Sequence, residues 1–415
     1  MSMKKQKIAV VGAGIVGVST AEWLRRDGHD VTLIDRKAPG EETSHGNAGI
    51  LACCAVVPVM VPGMLKKAPG MLLNPEKPLF LRWSYLPKLL PWLIPYLARG
   101  RKDKVQAIAA GLAPLLTDAV EQHQSLVKGT PAEKWLIPGD YIYLYRTKAA
   151  FEADGFGWNL RAQYGITGEE MSPADLKEND PALSDAYRFG YRLGHHGHVA
   201  NPGQYVKDLA AWFEGQGGTF LQAEVMDIAP REGGVTIQCT NANVEAERVV
   251  IASGIWSAKL AEKLGHKPMM EAERGYHVAF EGPSHTPPSP YMVADGKFVA
   301  TPMAGEVRAA GVVEYGGIDA PASAKPIALL EKGIRGLYPD FAYQARRDWM
   351  GRRPATVDSL PLLGPSSQHP SVYFACGHQH VGLTAGPKSG RLIADMIAGR
   401  RANIDLDLYR VNRFE

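Results

Sequence analysis

Three glycines and one acidic residue near the N-terminus have the spacing of a dinucleotide-binding site. Gly12, Gly14 and Gly17 form the pattern G-x-G-x-x-G directly after the apolar run at residues 8–11. Asp35 directly follows the second run, at residues 30–34. In this pattern the first glycine permits a tight turn, the second lets a pyrophosphate approach the backbone, and the third lets a helix pack closely. The acid can accept hydrogen bonds from ribose hydroxyls. An ordinary glycine-rich turn would not require the acid, so we predict a dinucleotide site.

The elements that must position these residues form a βαβ unit. Residues 8–11 predict a buried parallel strand, residues 15–26 have helical spacing, and residues 30–34 predict a second strand. The helix N-terminus would offer free N–H groups and a partial positive charge to phosphates. We therefore expect Ile15 and Val16, at the start of this helix, to lie against the cofactor.

Two later loops share the glycine-rich character of the first turn. Residues 44–49 and 377–384 are rich in glycine and small polar side chains, which can place backbone N–H groups against a ligand. For the first of them a plain connecting loop is an equal alternative. Residues 248–257 predict a buried strand that runs into a glycine turn. A last helix is expected from about residue 387 to 398, and its dipole would suit a cofactor with two anionic ends.

Composition limits the classes of function. The chain has 46 Lys and Arg against 43 Asp and Glu, which gives no sign of a nucleic-acid partner. Its four cysteines lack the spacing of a zinc or iron–sulfur site, and a reduced cytosolic compartment fits them. His195, His196 and His198 have no further ligand at metal spacing, so we interpret them as surface or turn residues and predict no metal site. No apolar run is long enough to predict a transmembrane helix.

The segment 79–97 has an unusual composition. Leucines and prolines alternate there with aromatic residues, namely Trp83, Tyr85, Trp92 and Tyr96, and basic residues flank the segment. This combination is typical of a segment that lies in a membrane interface. The alternative is a set of short core-facing helices broken by the prolines. Composition leaves both interpretations open.

Several motifs, in this order, resemble the D-amino-acid oxidase and dehydrogenase superfamily of FAD enzymes, most closely its bacterial D-amino-acid dehydrogenase branch (the small subunit). The matching motifs are the N-terminal unit with Asp35 and Arg36, Ser44–Gly49, residues 249–257, Arg274–Tyr276, Gly351–Pro354 and Gly377–Thr384. The resemblance covers nearly the whole chain. It implies an α/β fold with a Rossmann-type FAD-binding domain assembled from segments 1–58, 196–266 and 351–415. Segments 59–195 and 267–350 would form an α+β substrate domain on a mixed sheet.

The resemblance also implies which residues hold FAD. The expected cofactor-binding residues are Gly12, Gly14, Ile15, Val16, Gly17, Asp35, Arg36, Ser44, Asn47, Ala48, Gly49, Val225, Ser253, Gly254, Trp256, Gly377, Gly382, Leu383 and Thr384. Some family members bind flavin covalently through a cysteine. Cys376 lies near the relevant loop but not at a matching position, so we expect non-covalent FAD.

The activity implied by the resemblance is oxidative deamination of a D-amino acid, or of a cyclic imino acid such as hydroxyproline, by hydride transfer from Cα to flavin N5. Arginine is suited to binding the substrate carboxylate through two parallel hydrogen bonds. The residues expected at the reacting end are Arg353 and Arg274 for the carboxylate, Tyr276 for a hydroxyl contact, and His45 and His378 beside the isoalloxazine.

Substrate and electron acceptor remain open at this point. Gln379 and His380 stand where the family often has a second glycine after the histidine, which leaves the substrate side chain undetermined. We expect electrons to pass to a quinone or another carrier, with the protein cytoplasmic or peripheral on the inner face of the cell membrane through segment 79–97. The alternatives are an oxidase that uses oxygen and makes hydrogen peroxide, and a flavin-binding protein without turnover.

Overall fold

A computed structural model describes residues 4–64, Gly70 and residues 78–415. Its strands are β1 (Lys7–Val11), β2 (Asp30–Asp35), β3 (Ile50–Leu51), β4 (Leu79–Leu81), β5 (Leu136–Tyr145), β6 (Glu169–Met171), β7 (Phe189–Val199), β8 (Thr219–Gln222), β9 (Val225–Arg231), β10 (Gly234–Cys239), β11 (Asn243–Ala246), β12 (Arg248–Ile251), β13 (Met270–Glu281), β14 (Tyr291–Val293), β15 (Phe298–Met303), β16 (Glu306–Tyr315), β17 (Ala345–Thr356), β18 (Leu362–Pro365) and β19 (Val372–Cys376). Its helices are α1 (Ile15–Arg26), α2 (Leu86–Ala98), α3 (Lys102–Leu116), α4 (Ala119–Val127), α5 (Lys148–Ala153), α6 (Gly155–Ala162), α7 (Pro173–Asn179), α8 (Pro202–Gly215), α9 (Ser257–Lys263), α10 (Ala324–Leu337) and α11 (Gly382–Ile397).

The first sheet contains the predicted βαβ unit. Its strand order is β18-β19-β12-β1-β2-β8, and every neighbouring pair is parallel except β18 with β19. Because side chains alternate along β1, Ile8 and Val10 pack towards α1, α8 and α11, whereas Ala9 and Val11 pack towards β9, β10 and α9. Both faces of the parallel sheet are therefore covered, which confirms the Rossmann-type α/β fold.

The second sheet is mixed and larger. Its order is β17-β13-β16-β15-β14-β5-β7-β3, with β4 beside β16 and β6 beside β7. The pairs β14–β5 and β16–β4 are parallel and the others are antiparallel. Helix α10 packs on one face of this sheet through Leu330 and Ile334, next to Val278 and Phe280 of β13. This sheet corresponds to the mixed sheet that the resemblance implies.

The predicted domain ranges remain a proposal. The strands of the first sheet all lie within 1–58, 196–266 and 351–415. The boundaries at 196 and 351 fall inside β7 and β17, and β3 joins the second sheet although it belongs to the first range. Residues 1–3, 65–69 and 71–77, which these ranges include, lie outside the described residues.

Pro387 misled the prediction of where the last helix begins. Helix α11 begins at Gly382 rather than near Pro387, which lies inside it. The missing N–H of Pro387 would free the carbonyl of Leu383, and the ring of His123 donates to that carbonyl from Nε2 at 2.9 Å. Prolines also lie inside two other helices. Helix α3 continues past its proline and ends at Leu116, and segment 86–98 forms the single helix α2 rather than several short ones.

The interpretation of the histidine cluster as surface or turn residues was wrong for two of its three members. His195, His196 and His198 lie on β7, where His195 is exposed and the other two are buried. Hydrogen bonds compensate the burial of His196, whose Nδ1 donates to the Gly194 carbonyl at 2.7 Å and whose Nε2 accepts from the Cys54 amide at 3.1 Å.

We predict that Gly17→Ala destabilises the fold and weakens cofactor retention. A Cβ at position 17 would lie 1.7 Å from the Gly12 carbonyl oxygen, so α1 would have to move away from β1. We expect a loss of roughly 1–3 kcal/mol in the free energy of unfolding, measured by thermal or urea denaturation. Gly215→Ala at the end of α8 is the matched control, because nothing lies within 4 Å of its added Cβ. Equal stability of the two variants would contradict the close helix–strand contact.

Candidate active site

A cavity of about 1040 Å³ is lined by residues of both sheets. One end is formed by the turn after β1, the start of α1 and the loop after β12. The other end is formed by β13, β17 and the loop that precedes α11. A volume of this size exceeds what a small metabolite alone requires and suits a cofactor together with a substrate.

The first end is built for phosphate and ribose groups. Gly12 has φ +110°, and a Cβ there would lie 2.5 Å from the Ala252 carbonyl oxygen, so only glycine fits. Helix α1 starts with its N–H groups near the cavity, and Ser44 Oγ accepts from the Ile15 amide at 2.9 Å. Asp35 lies at the end of β2, where its two oxygens accept from the amides of Ala13 (2.7 Å) and Lys37 (2.9 Å). Burial raises the pKa of Asp35, while these N–H groups lower it.

All the predicted cofactor-binding residues except Gly17 line this cavity. Those that do are Gly12, Gly14, Ile15, Val16, Asp35, Arg36, Ser44, Asn47, Ala48, Gly49, Val225, Ser253, Gly254, Trp256, Gly377, Gly382, Leu383 and Thr384. The guanidinium of Arg36 lies 4.1 Å from the centre of the Trp256 ring. Gly17 is not part of the cavity wall, because it packs directly against the Gly12 carbonyl.

The second end is set by the register of β13 against β17. The cross-strand pairs Glu273–Arg353, Gly275–Gly351 and His277–Trp349 stand directly opposite one another. Because side chains alternate along a strand, these pairs share one face, and five of the six residues line the cavity, all but His277. The rings of His277 and Trp349 stack with centres 5.2 Å apart.

Arg353 is fixed from several sides. Its Nη1 donates to Glu273 Oε1 at 2.9 Å and to the Val312 carbonyl at 3.1 Å, and Nη2 donates to the Gly311 carbonyl at 3.4 Å. Val312 has φ +52° where the β13–β16 register shifts, so a bulge turns these carbonyls towards the guanidinium. A Cβ on Gly275 would lie 2.3 Å from Arg353 Cζ. Within the described residues Nε makes no hydrogen bond, which leaves one side of the guanidinium for a ligand.

Arg274 and Tyr276 form their side-chain bonds on the other face of β13, and their predicted roles remain predictions. Arg274 is fully buried and forms an ion pair with Glu314 at 3.2 Å, and it is not part of the cavity wall. Tyr276 borders the cavity, but its hydroxyl donates to Glu314 and accepts from the Ser323 amide at 3.1 Å. Because side chains alternate along β13, both lie on the face of the strand that is turned away from that of Glu273. This geometry argues against substrate contact by either.

The two predicted histidines differ in position. His378 lines the cavity with its Nε2 2.9 Å from Ser389 Oγ, and burial lowers its pKa to about 4, so the ring is neutral at physiological pH. His45 is not among the residues of the wall. Burial, followed by the charge of Arg308, lowers the pKa of His45 as well. The roles assigned to both histidines remain predictions.

Several residues of the wall were not identified from the sequence as binding residues. Glu273 and Tyr96 line the reacting end, together with Gln379, which the sequence had singled out. Arg161 lies on another wall, where its Nε donates to the Cys54 carbonyl at 2.9 Å. Glu273 could have been identified from the sequence, because it lies two residues before Gly275 on the same strand. Side chains alternate along a strand, so both lie on the face that Arg353 shares. Nothing in the sequence around Arg161 indicates that α6 reaches the cavity.

Helix α2 separates the cavity from the surface. Its Leu89, Leu93 and Leu97 line the cavity. Trp92 and Tyr96 are buried, and Trp92 Nε1 donates to the Ala355 carbonyl at 3.0 Å, so these two aromatics are core residues rather than interfacial ones. On the outer side Trp83 is 59% exposed, Leu90 40% and Ile94 62%.

Neither a metal centre nor a membrane span is found in the part of the chain that the structure describes. Within residues 4–64, Gly70 and 78–415, no group of three or more His, Cys, Asp or Glu side chains is placed to hold a metal ion. In the same residues no helix has the length and apolarity needed to cross a bilayer.

Comparisons with known proteins show similarity to flavin-dependent amino-acid oxidases and dehydrogenases over nearly the whole chain. The chain is 34% identical to a D-amino-acid oxidase of Bradyrhizobium diazoefficiens, with 98% of each chain covered. It is 27% identical to a D-amino acid dehydrogenase of Paramagnetospirillum magneticum, covering 98% of this chain and 99% of the relative. The crystal structure of glycine oxidase from Geobacillus kaustophilus superposes with a TM-score of 0.73 at 22% identity, covering 99% of each chain, which shows a shared fold.

The family assignment rests on a match to nearly the complete chain. The family model described as DAO, FAD dependent oxidoreductase, matches residues 7–396. The residues present fit that cofactor, because the Gly12 turn leaves no room for a side chain and Asp35 lines the same cavity with a carboxylate that can accept from ribose hydroxyls. The chain therefore belongs to the DAO family of FAD-dependent oxidoreductases, and its cofactor is FAD.

Proposed function

We propose that this enzyme oxidises a D-amino acid, or a cyclic imino acid such as hydroxyproline, and passes the electrons to a quinone or another carrier. The observation that carries the proposal is the guanidinium of Arg353, held in the cavity wall with its Nε side unoccupied by described residues. A fixed guanidinium can bind a carboxylate through two parallel hydrogen bonds. The relatives named D-amino-acid oxidase and D-amino acid dehydrogenase support the same substrate class.

The chain's contribution is to bind and orient. Bound FAD supplies the acceptor for the hydride that leaves the substrate Cα. Arg353 would hold the substrate carboxylate and thereby fix the direction of the Cα–H bond. Backbone groups of 44–49 and 377–384 would hold the flavin, and the first turn of α11 presents N–H groups and a positive dipole end. The leucines of α2 would keep water away from this end.

The electron acceptor is the open part of the proposal. A dehydrogenase needs access for a carrier, and an oxidase needs only oxygen. The apolar residues of α2 reach from the cavity to the surface, which favours a lipid-soluble quinone. An oxidase that makes hydrogen peroxide is the alternative, since one relative carries that name.

The outer side of α2 fits an anionic lipid surface. Trp83, just before α2, and Leu90 and Ile94 within it have exposed apolar side chains, which we call the apolar strip, and Lys88 and Lys102 are exposed in the same part of the sequence. Apolar area would supply most of the affinity and each base about 1 kcal/mol near anionic lipid. We include peripheral membrane contact through this strip in the proposal, because it would bring α2, whose leucines line the cavity, next to membrane quinone.

We predict that the protein purifies yellow with releasable FAD. Cys376 is buried in β19, and burial raises its pKa to about 12, so its thiol is not an available nucleophile. Acid or heat precipitation should leave the visible absorbance in the supernatant. A colourless protein that binds NADH, or flavin that stays in the precipitate, would contradict this prediction.

We predict that Arg353→Ala raises KM for the amino-acid substrate while FAD stays bound. Losing a charge-assisted pair in a desolvated pocket should cost about 2–5 kcal/mol, measured as kcat/KM with an artificial acceptor. Arg346→Ala is the matched control, because Arg346 lies on the same strand and pairs with Glu331 and Asp348 away from the cavity. A near-normal KM for Arg353→Ala would show that the carboxylate binds elsewhere.

We predict that the double variant Trp83→Ser, Ile94→Ser binds anionic liposomes at least about tenfold more weakly than the wild type. Two exposed apolar side chains would no longer be buried in the lipid interface. Co-sedimentation at low salt measures the difference. The control is Ile137→Ser, Met226→Ser, which removes two exposed apolar side chains from other surfaces. Equal partitioning of all three proteins would remove the membrane contact and weaken the quinone proposal.

A further inference from the structure

Arg353 shares its wall with an acid that the proposed carboxylate site does not require. Glu273 is 1% exposed, lines the cavity and accepts from Arg353 Nη1 at 2.9 Å. The two charges therefore balance each other before any substrate binds. A ligand with only a carboxylate would meet an ion pair with little net charge. A zwitterion could place its carboxylate against Arg353 and its ammonium against Glu273.

Gln379 adds a second acceptor beside this acid. Its Nε2 donates to Glu273 Oε2 at 3.4 Å, and its amide N donates to the Pro354 carbonyl at 3.0 Å. The residue has φ +49°, a conformation that a non-glycine residue adopts at a cost. Its Oε1 is buried and has no hydrogen-bond partner among the described residues, although the residue lines the cavity. A buried acceptor left without a donor is destabilising, so a ligand N–H would satisfy it.

The other polar groups nearby carry no charge that would compete. Burial raises the pKa of Tyr96, so its hydroxyl stays protonated. Burial lowers the pKa of His380, so its ring stays neutral. Glu273 is thus the negative group that a substrate cation would meet on the wall that Arg353 also forms.

Resting on the proposed function, we propose that Glu273 and Gln379 Oε1 form an amine subsite, so that the cavity selects α-amino or imino acids against 2-hydroxy acids. A primary ammonium has three N–H donors and the secondary ammonium of a cyclic imino acid has two, enough for both acceptors. A hydroxyl group has one donor and no charge, and it would leave one acceptor unsatisfied. Selection of this kind is strong because the site's own buried polar groups are left unpaired by the wrong ligand.

The test uses two ligands that lack a hydrogen on Cα and cannot be oxidised, 2-aminoisobutyrate and 2-hydroxyisobutyrate. Isothermal titration of the FAD-loaded enzyme measures both dissociation constants. We expect wild type to bind the amino compound at least about tenfold more tightly than the hydroxy compound, as for a charge-assisted hydrogen bond. Glu273→Gln should abolish this preference and leave binding of the hydroxy compound within about threefold.

Two further variants separate the explanations. Glu271→Gln is the matched control, because Glu271 lies on the same strand and bonds to the Tyr85 hydroxyl outside the cavity wall, so the preference should persist. Gln379→Leu removes Oε1 without touching an ion pair and should reduce the preference by about threefold or more. This second variant also keeps the test available if Glu273→Gln folds poorly.

The outcomes distinguish this inference from the proposed function. An unchanged preference in Glu273→Gln, or an equal loss for both ligands, would overturn the amine subsite, and the equal loss would leave Glu273 a positioning residue for Arg353. Wild type that binds both ligands equally would also overturn it while leaving the carboxylate site intact. Wild type that binds neither ligand would contradict the proposed function, and the amine subsite with it.

Discussion

The antiparallel pairing of β13 with β17 decides which side chains can meet the substrate. It sets Glu273 opposite Arg353 on the cavity face and Arg274 opposite Arg352 on the other. A slip of one residue would exchange the two faces and offer Arg352, which now donates to the Ile318 carbonyl at 2.5 Å. Gly275, two residues after Glu273 on β13, has no side chain and so leaves the space that the guanidinium of Arg353 occupies. The candidate chemistry therefore depends on register more than on any single contact.

Another part of the same end of the cavity depends on how buried polar groups are compensated around α11. Pro387 would break the helix, but His123 bonds to the freed carbonyl of Leu383 and also to the Tyr205 hydroxyl at 2.7 Å. Burial lowers the pKa of His123 to about 4, which keeps its ring neutral and one nitrogen free to accept. The helix can therefore begin at Gly382, where its first N–H groups face the cavity rather than the protein interior. Structural histidines thus support a site in which they take no direct part.

The sequence was most informative where a motif determines backbone geometry. Gly12, Gly14 and Asp35 line the cavity, as expected, because local turns and strand ends determine where they lie. The expectation that Arg274 and Arg353 lie together took the motif without strand alternation, which places Arg274 on the other face of β13 from Glu273. The start of α11 was misjudged because a distant residue, His123, compensates for Pro387. Arg161 could not be predicted, since only tertiary packing brings α6 to the cavity wall.

The central claim is that the bound flavin takes electrons from an amino or imino acid held by Arg353. The most direct measurement is the visible absorbance of the purified holoenzyme during anaerobic mixing with paired D- and L-amino acids, cyclic imino acids and 2-hydroxy acids. The account predicts bleaching by at least one D-amino or cyclic imino acid and none by the matching 2-hydroxy acid. Flavin that dithionite bleaches but that no amino or imino acid reduces would contradict it.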